Sequence, residues 1–372
     1  MNILHVYKTC LPYTQGGIEE VIHQICRSTT KLGITNRIVC LSSQCKKKEI
    51  IETPEATIYC YPMSFEVASC GFSWQLWAEF KTHSAWADVI HYQFPWPFAD
   101  ILALTRQQKD TPYIVSYQSD IVRQQGLNKL YHPLMVKFLE QAAAVVATSP
   151  KYIDTSLVLN SLTNPAKLIP NGIDSEAPNS VAFQQEKQEY QQLYGTDFFL
   201  FIGVFRYYKG LQYLLEAAKL TGHPIVIVGD GPEAGELHRY VQDNDLKNVH
   251  FLGHVNDEQK YALISLTKAL ILPSSERSEA YGMVLLEAAR QGTALISTEL
   301  GSGTSYINSH NETGLVVEAK NPQQLANAMH YFADNPDLVT TMGKASRQRF
   351  DSHFTADIMG QQYADLYQSL LP

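Results

Sequence analysis

Strand-like apolar runs alternate with helix-like segments along almost the whole of this 372-residue chain, and no other feature restricts its fold so strongly. Alternation of this kind is the pattern of parallel sheets covered by helices, an α/β fold. In the first half the candidate strands are residues 3–7, 37–41, 89–92, 113–117 and 144–148. Ile18, Val21, Ile22 and Ile25 recur at helical spacing, and Gly33 ends that helix. In the second half the candidate strands are residues 198–202, 225–228, 249–252, 269–272 and 294–297, with helix patterns over 211–220 and 233–243 between them. The chain is too long for one ordinary core and suits two domains. The turn formers Pro170-Asn171-Gly172-Ile173-Asp174 join two complete series, so the expected division is 1–172, 173–352 and a last helix in 353–372. Two Rossmann-like domains imply a ligand cleft at the carboxyl ends of their strands.

Hydrophobic content of 45% and charged content of 18% are those of a globular protein. A formal net charge of -8 argues against nucleic acid as a partner. No apolar run reaches the roughly 18 residues of a membrane span. The opening Met1-Asn2-Ile3-Leu4-His5-Val6-Tyr7 reads as a first strand rather than a signal peptide, and the expected location is the cytoplasm. All six cysteines fall in the first seventy residues without a Cys-x-x-Cys pair, the pattern of reduced thiols in one core.

The chemistry concentrates around Glu279 and Glu287. The run Ala269-Leu270-Ile271-Leu272-Pro273 precedes them, and a helix opening at Gly282 carries Glu287 roughly 7–8 Å up its axis, at about 1.5 Å per residue. The free amides of Met283 and Val284 lie between the two carboxylates, a place for an anion with a hydroxyl acceptor on each side. A sugar nucleotide has that shape. Gly203-Val204-Phe205-Arg206-Tyr207-Tyr208-Lys209-Gly210 opens another helix after a strand, and Arg206 with Lys209 suits a departing diphosphate. Gly16-Gly17 lets backbone amides approach a phosphate, and Gly301-Ser302-Gly303-Thr304-Ser305 offers further donors. Gly229-Asp230-Gly231-Pro232-Glu233-Ala234 fits turn chemistry as well as a ligand loop. Asp243-Asn244-Asp245 ends a helix and reads as a solvated turn, so no metal is expected. Phe94, Trp96 and Phe98 alternate around prolines, either as core or as an aromatic platform for an acceptor sugar.

Taken together, Gly16-Gly17, Pro170-Asn171-Gly172-Ile173-Asp174, Arg206 with Lys209-Gly210, Gly229-Asp230-Gly231-Pro232-Glu233 and the Glu-x7-Glu from Glu279 to Glu287 resemble the retaining glycosyltransferases of family four. The resemblance implies the GT-B fold, with an N-terminal acceptor domain, a C-terminal donor domain and a final helix crossing back to the first. It implies that Glu279 binds donor-sugar hydroxyls and Glu287 the ribose. Arg206 and Lys209 take the diphosphate, helped by Gly16, Gly17, Thr304 and Ser305. The openings His5-Val6-Tyr7-Lys8-Thr9 and Gly16-Gly17-Ile18-Glu19, with Phe94-Pro95-Trp96-Pro97, resemble bacterial surface-polysaccharide mannosyltransferases of the O-antigen type. That implies transfer of mannose from GDP-mannose to a lipid-linked oligosaccharide at the cytoplasmic face of the inner membrane, with no cofactor.

Three positions depart from the family pattern. Gln93 and Gln118 stand where histidine is common, and Gly301-Ser302-Gly303-Thr304-Ser305 replaces Gly-Gly-x-x-Glu. Gln118 keeps a hydrogen-bonding role toward the donor, but neither glutamine titrates or serves as a base. Asp120 and Trp96 are the acceptor-side candidates. An epimerase or phosphorylase of the same fold, and an inactive nucleotide-sugar-binding scaffold, are the alternative readings.

Overall fold

A computed structural model describes residues 1–14, 16–68, 70–108, 110–121 and 125–371, with side chains left undescribed over 125–130. The chain divides into two compact units, Met1–Asp174 with Thr355–Pro372, and Ser175–Phe354. The divisions fall two residues beyond those expected from the turn formers. Ile173 and Asp174 stay with the first unit because Ala356 N donates to Ile173 O (2.7 Å) and Arg27 pairs with Asp174 (2.6 Å).

The first unit is built on one eight-stranded sheet, ordered Lys167–Leu168, Ala144–Ala147, Tyr113–Tyr117, Val89–Phe94, Asn2–Val6, Thr35–Ser42, Thr57–Pro62 and Glu49–Glu52. All neighbours are parallel except the last pair, Glu49–Glu52 against Thr57–Pro62. The strands Val89–Phe94 and Tyr113–Tyr117 are buried at every position, which is what helices on both faces require of a central parallel strand. Phe65–Val67 and Cys70–Phe72 form a separate two-stranded ribbon. The last helix, Ala356–Gln368, packs on the first, Gly17–Thr30. The cysteines depart from the expectation of thiols throughout: Cys10 and Cys40 are joined, while Cys26, Cys45, Cys60 and Cys70 stay free.

The second unit has six parallel strands ordered Val249–Gly253, Ile225–Val228, Phe199–Ile202, Ala269–Leu272, Ala294–Glu299 and Gly314–Glu318. The order reverses between Phe199–Ile202 and Ala269–Leu272, and the loops leaving such a switch point are where doubly wound sheets bind ligands. Helix Leu211–Thr221 buries Leu211, Leu214, Leu215 and Ala218, and begins after Gly210, whose φ of 68° is left-handed. A Cβ at Gly210 would meet the Pro273 carbonyl at 2.1 Å, so glycine there lets the two switch-point loops touch. Among the described residues, no helix is long and apolar enough to cross a membrane.

Candidate active site

In the second unit, the loop after Phe199–Ile202 makes a short 3₁₀ turn, Tyr207–Lys209. The loop after Ala269–Leu272 is stapled to it: Ser275 N donates to Tyr208 O (2.7 Å), and the Tyr207 and Ser278 hydroxyls lie 3.4 Å apart. This brings the Lys209 ammonium 2.5 Å from Glu279 Oε2, and Ser274 Oγ donates to the same oxygen at 3.1 Å. The pair is nearly enclosed, with side-chain exposures of 14% for Lys209 and 9% for Glu279. Burial, the largest single influence, would lower the Lys209 pKa, but the Glu279 charge, Tyr208 and the hydrogen bond to Glu279 together outweigh it and hold the ammonium above its ordinary value. Arg206 stands at the turn's start, exposed, and makes no ion pair among the described residues.

Helix Met283–Arg290 begins after Gly282, at φ 88°. A Cβ at Gly282 would crowd Leu272 at 2.8 Å, so glycine lets the chain turn sharply from the Glu279 loop into the helix. The amides of Met283 and Val284, both half-buried, open the helix and have no carbonyl one turn back. Glu287 sits further along. Its Oε1 accepts from Lys260 Nζ (2.9 Å) and from the Tyr261 hydroxyl (3.4 Å). Neither partner carried a sequence signal, because both lie on a different helix, Asp257–Leu266, whose pattern is that of any surface helix.

The Gly301 loop is more closed than its composition suggests. Arg277 donates to Gly301 O (2.6 Å), and Ser302 Oγ donates to Glu279 O (2.9 Å). Thr304 is buried with its hydroxyl given to Thr298 O (3.2 Å), and Ser305 Oγ donates to Glu299 Oε1 (3.2 Å). Both hydroxyls expected to reach a phosphate are therefore committed to their own loop. The Gly229 loop is likewise structural: Phe205 N donates to Asp230 O (2.9 Å), and Glu233 N donates to Phe205 O (3.2 Å). Asp245 lies two residues past the end of the next helix, Ala234–Asp243, in a left-handed conformation, and pairs with Lys247 at 3.3 Å.

In the first unit, Gly16 caps helix Gly17–Thr30, but the helix start already holds an acid. Glu19 Oε1 accepts from Thr9 (2.7 Å) and Thr14 (3.0 Å), and a Cβ on Gly16 would stand 2.6 Å from Glu19 Oε2. The phosphate site expected at Gly16 and Gly17 is thus partly neutralised by the chain's own carboxylate. Gln118 is buried and uses both ends of its amide: Nε2 donates to Gln93 Oε1 (2.9 Å) and Oε1 accepts from Asn171 (3.2 Å). Gln93 in turn meets His91 Nε2 (3.1 Å), and His91 contacts the Tyr367 hydroxyl and Ser116 Oγ, each at 2.7 Å. Burial keeps His91 well below its ordinary pKa, so it is neutral. The two glutamines therefore extend a buried polar chain from the turn at Asn171 to the final helix. Asp120 Oδ1 accepts from the Tyr117 hydroxyl and Ser156 Oγ, both at 2.9 Å. Trp96 corrects the sequence expectation: it is fully buried, with its indole N–H donated to Gly71 O (3.1 Å). Among the described residues of the first unit, the exposed aromatic residues are Trp74, 66% exposed, and Phe65, which stacks on Phe72.

Two Rossmann-like units, the second with a cation–carboxylate pair at its switch point, define a glycosyltransferase of GT-B fold. The chain belongs to glycosyltransferase family four: residues 15–177 match the family described as "Glycosyltransferase Family 4", and residues 183–349 match "Glycosyl transferases group 1". It is 43% identical over 357 residues to D-rhamnosyltransferase WbpZ of Pseudomonas aeruginosa, spanning 96% of this chain and 93% of that protein. It is 40% identical over 371 residues to O-antigen chain mannosyltransferase C of Escherichia coli, spanning 100% of this chain and 99% of that protein. Sucrose-phosphate synthase from Thermosynechococcus elongatus shares its fold at a TM-score of 0.83 and 21% identity, covering 99% of this chain and 98% of the other. The HepE protein of Anabaena, solved with UDP, does so at 0.78 and 17%, covering 99% and 100%.

Proposed function

We propose that this glycosyltransferase moves mannose from GDP-mannose to a lipid-linked saccharide in O-antigen-type polysaccharide synthesis, with retention of anomeric configuration. The observation that carries the reading is the Lys209–Glu279 pair, enclosed beside the open helix start at Met283 and Val284. Diphosphate oxygens take the Lys209 and Arg206 charges and the helix amides, and Glu279 turns to the hydroxyls of the sugar. Glu287 accepts from the ribose. The C–O bond between sugar and diphosphate breaks as the acceptor oxygen attacks from the same face, and a diphosphate oxygen takes the acceptor's proton. Two fixed cations and helix amides stabilise the leaving group, each strong contact contributing about 3–4 kcal/mol. With that charge supplied by the chain, transfer proceeds without a divalent cation. A protein working on a lipid-linked acceptor attaches peripherally to the cytoplasmic face of the inner membrane.

The choice of sugar is supported by the names of two relatives. One is a mannosyltransferase and the other a D-rhamnosyltransferase. D-Rhamnose is mannose without its 6-hydroxyl, so both names point to the manno configuration and differ only at C6. GDP-linked D-rhamnose is therefore the second reading. Thermal shift followed by product analysis tests both. GDP-mannose is expected to stabilise the protein and to give a saccharide lengthened by one mannose. Stabilisation and transfer with the rhamnose donor alone would move the assignment to the second reading. A shift with UDP-sugars only would overturn the guanine base. Conversion of the sugar nucleotide without acceptor would make the protein an epimerase.

A further inference from the structure

Resting on the reading that Glu287 binds the donor ribose, we infer that Lys260 is a positioning residue for that contact, holding Glu287 Oε1 and leaving Oε2 as the acceptor for the ribose hydroxyls. The geometry is specific. Lys260 Nζ lies 2.9 Å from Glu287 Oε1 and 2.9 Å from Asp257 Oδ1, and the Tyr261 hydroxyl donates to the same Oε1 at 3.4 Å. Both donors fall on one oxygen. Among the described residues no hydrogen bond reaches Oε2.

The support for Lys260 is itself rigid. Helix Asp257–Leu266 starts in a capping box, with Gln259 N donating to Asn256 Oδ1 (2.9 Å) and Asn256 N to Gln259 Oε1 (3.1 Å). Lys260 follows directly, its ammonium also 4.5 Å from the Tyr261 ring centroid. The Arg290 guanidinium lies 4.6 Å from the centroid of the same ring, and Gln291 Nε2 donates to Tyr261 O (3.0 Å). The second bond ties the Lys260 helix to the chain just past the end of the Glu287 helix.

Two physical consequences follow. A carboxylate fixed through one oxygen has already lost its rotational freedom, so a hydroxyl binding the other does not have to order it. The neighbouring ammonium also balances the carboxylate's charge at 2.9 Å, so a hydroxyl can donate to the second oxygen without the pair carrying a net charge. Burial would lower the Lys260 pKa, but the Glu287 charge, with Tyr261 and Asp257, raises it, so the cation persists at neutral pH. Lys260 itself need not touch the nucleotide.

The test is calorimetry with GDP and UDP, each against its 2′,3′-dideoxy analogue, on wild type, Glu287→Gln, Lys260→Met and Lys260→Arg. Wild type is expected to prefer the hydroxylated nucleotide by about 10-fold or more, the loss of one charge-assisted hydrogen bond. Glu287→Gln and Lys260→Met are expected to lose most of that preference while binding the dideoxy form as wild type does, and Lys260→Arg to retain it. A merely structural lysine would weaken both nucleotides alike. Lys260→Met keeping the wild-type preference while Glu287→Gln loses it overturns the role of Lys260 and leaves the ribose reading standing. Wild type or Glu287→Gln showing that the preference does not depend on Glu287 overturns the ribose reading, and this inference with it. Lys260→Gln serves as the second variant if the methionine form does not fold.

Discussion

Lys209 Nζ and Glu279 Oε2 lie 2.5 Å apart in the second unit, with both side chains nearly enclosed. In the proposed reading these two groups serve different parts of one ligand, the diphosphate and the sugar. Their mutual contact means that the site holds its own charge balance before a donor arrives. Donor binding then exchanges an internal ion pair for two ligand contacts, and neither group is left buried alone at any stage.

Removing either partner should therefore cost stability as well as activity. Lys209→Ala and Glu279→Ala are each expected to destabilise the second unit by about 3–5 kcal/mol, because each strands an enclosed charge. The Lys209 pKa is raised on folding, so the pair's contribution is complete below the unfolded value of 10.5 and fades only as pH rises through the folded value. Denaturant unfolding at pH 7.5 and pH 9 should give the same loss for each variant. A loss that disappears at pH 9 would contradict the assignment.

The aromatic residues divide sharply by burial. Trp96→Ala is expected to cost about 3–5 kcal/mol, for it empties a fully buried volume and orphans the Gly71 carbonyl. Trp74→Ala should stay within about 0.5 kcal/mol of wild type, since the side chain is mostly exposed. Equal melting temperatures for the two variants would contradict the placement of Trp96 in the core.

Asp100 gives the first unit a pH dependence. Its carboxyl is buried on helix Pro97–Arg106 and accepts from the Tyr131 hydroxyl. Burial pushes its pKa up to about 8, against the opposing Tyr131 hydrogen bond. A folded value above the unfolded 3.8 means that this group's contribution is complete below 3.8 and is lost as pH rises through about 8. Asp100→Asn, which cannot ionise, is expected to remove the part of the decline in melting temperature that wild type shows between pH 5 and pH 8, and to be the more stable of the two at pH 8. Parallel pH profiles would contradict this.

Much of the fold was legible because its central strands are buried on both faces. Ile225–Val228 and Ala269–Leu272 are uninterrupted apolar runs, Tyr113–Tyr117 is broken only by Ser116, and all three match the expected strands to the residue. The edge strands Glu49–Glu52 and Lys167–Leu168 are half-exposed or exposed and carry charges, so no apolar run marks them. Gly314–Glu318 begins at a glycine and ends at a glutamate, which leaves an apolar run of only three residues, Leu315 to Val317, too short to mark a strand. The site was legible in its members and not in its contacts. Glu279, Glu287 and Lys209 each stand in a recognisable motif, but that Lys209 meets Glu279 and Lys260 meets Glu287 depends on sheet order. Trp96 was misplaced because alternation around prolines does not say which way a ring turns. Thr304 and Ser305 give their hydroxyls to their own loop, a contact that composition does not reveal because a hydroxyl near glycines serves its own loop as readily as a ligand.

Arg206 separates chemistry from folding most cleanly, because it is exposed and makes no ion pair among the described residues. The decisive measurement is the single-turnover rate of sugar transfer by Arg206→Ala, with its melting temperature recorded alongside. A rate about 100-fold below wild type, at an unchanged melting temperature, is what a cation stabilising the departing diphosphate requires. A wild-type rate would contradict that role.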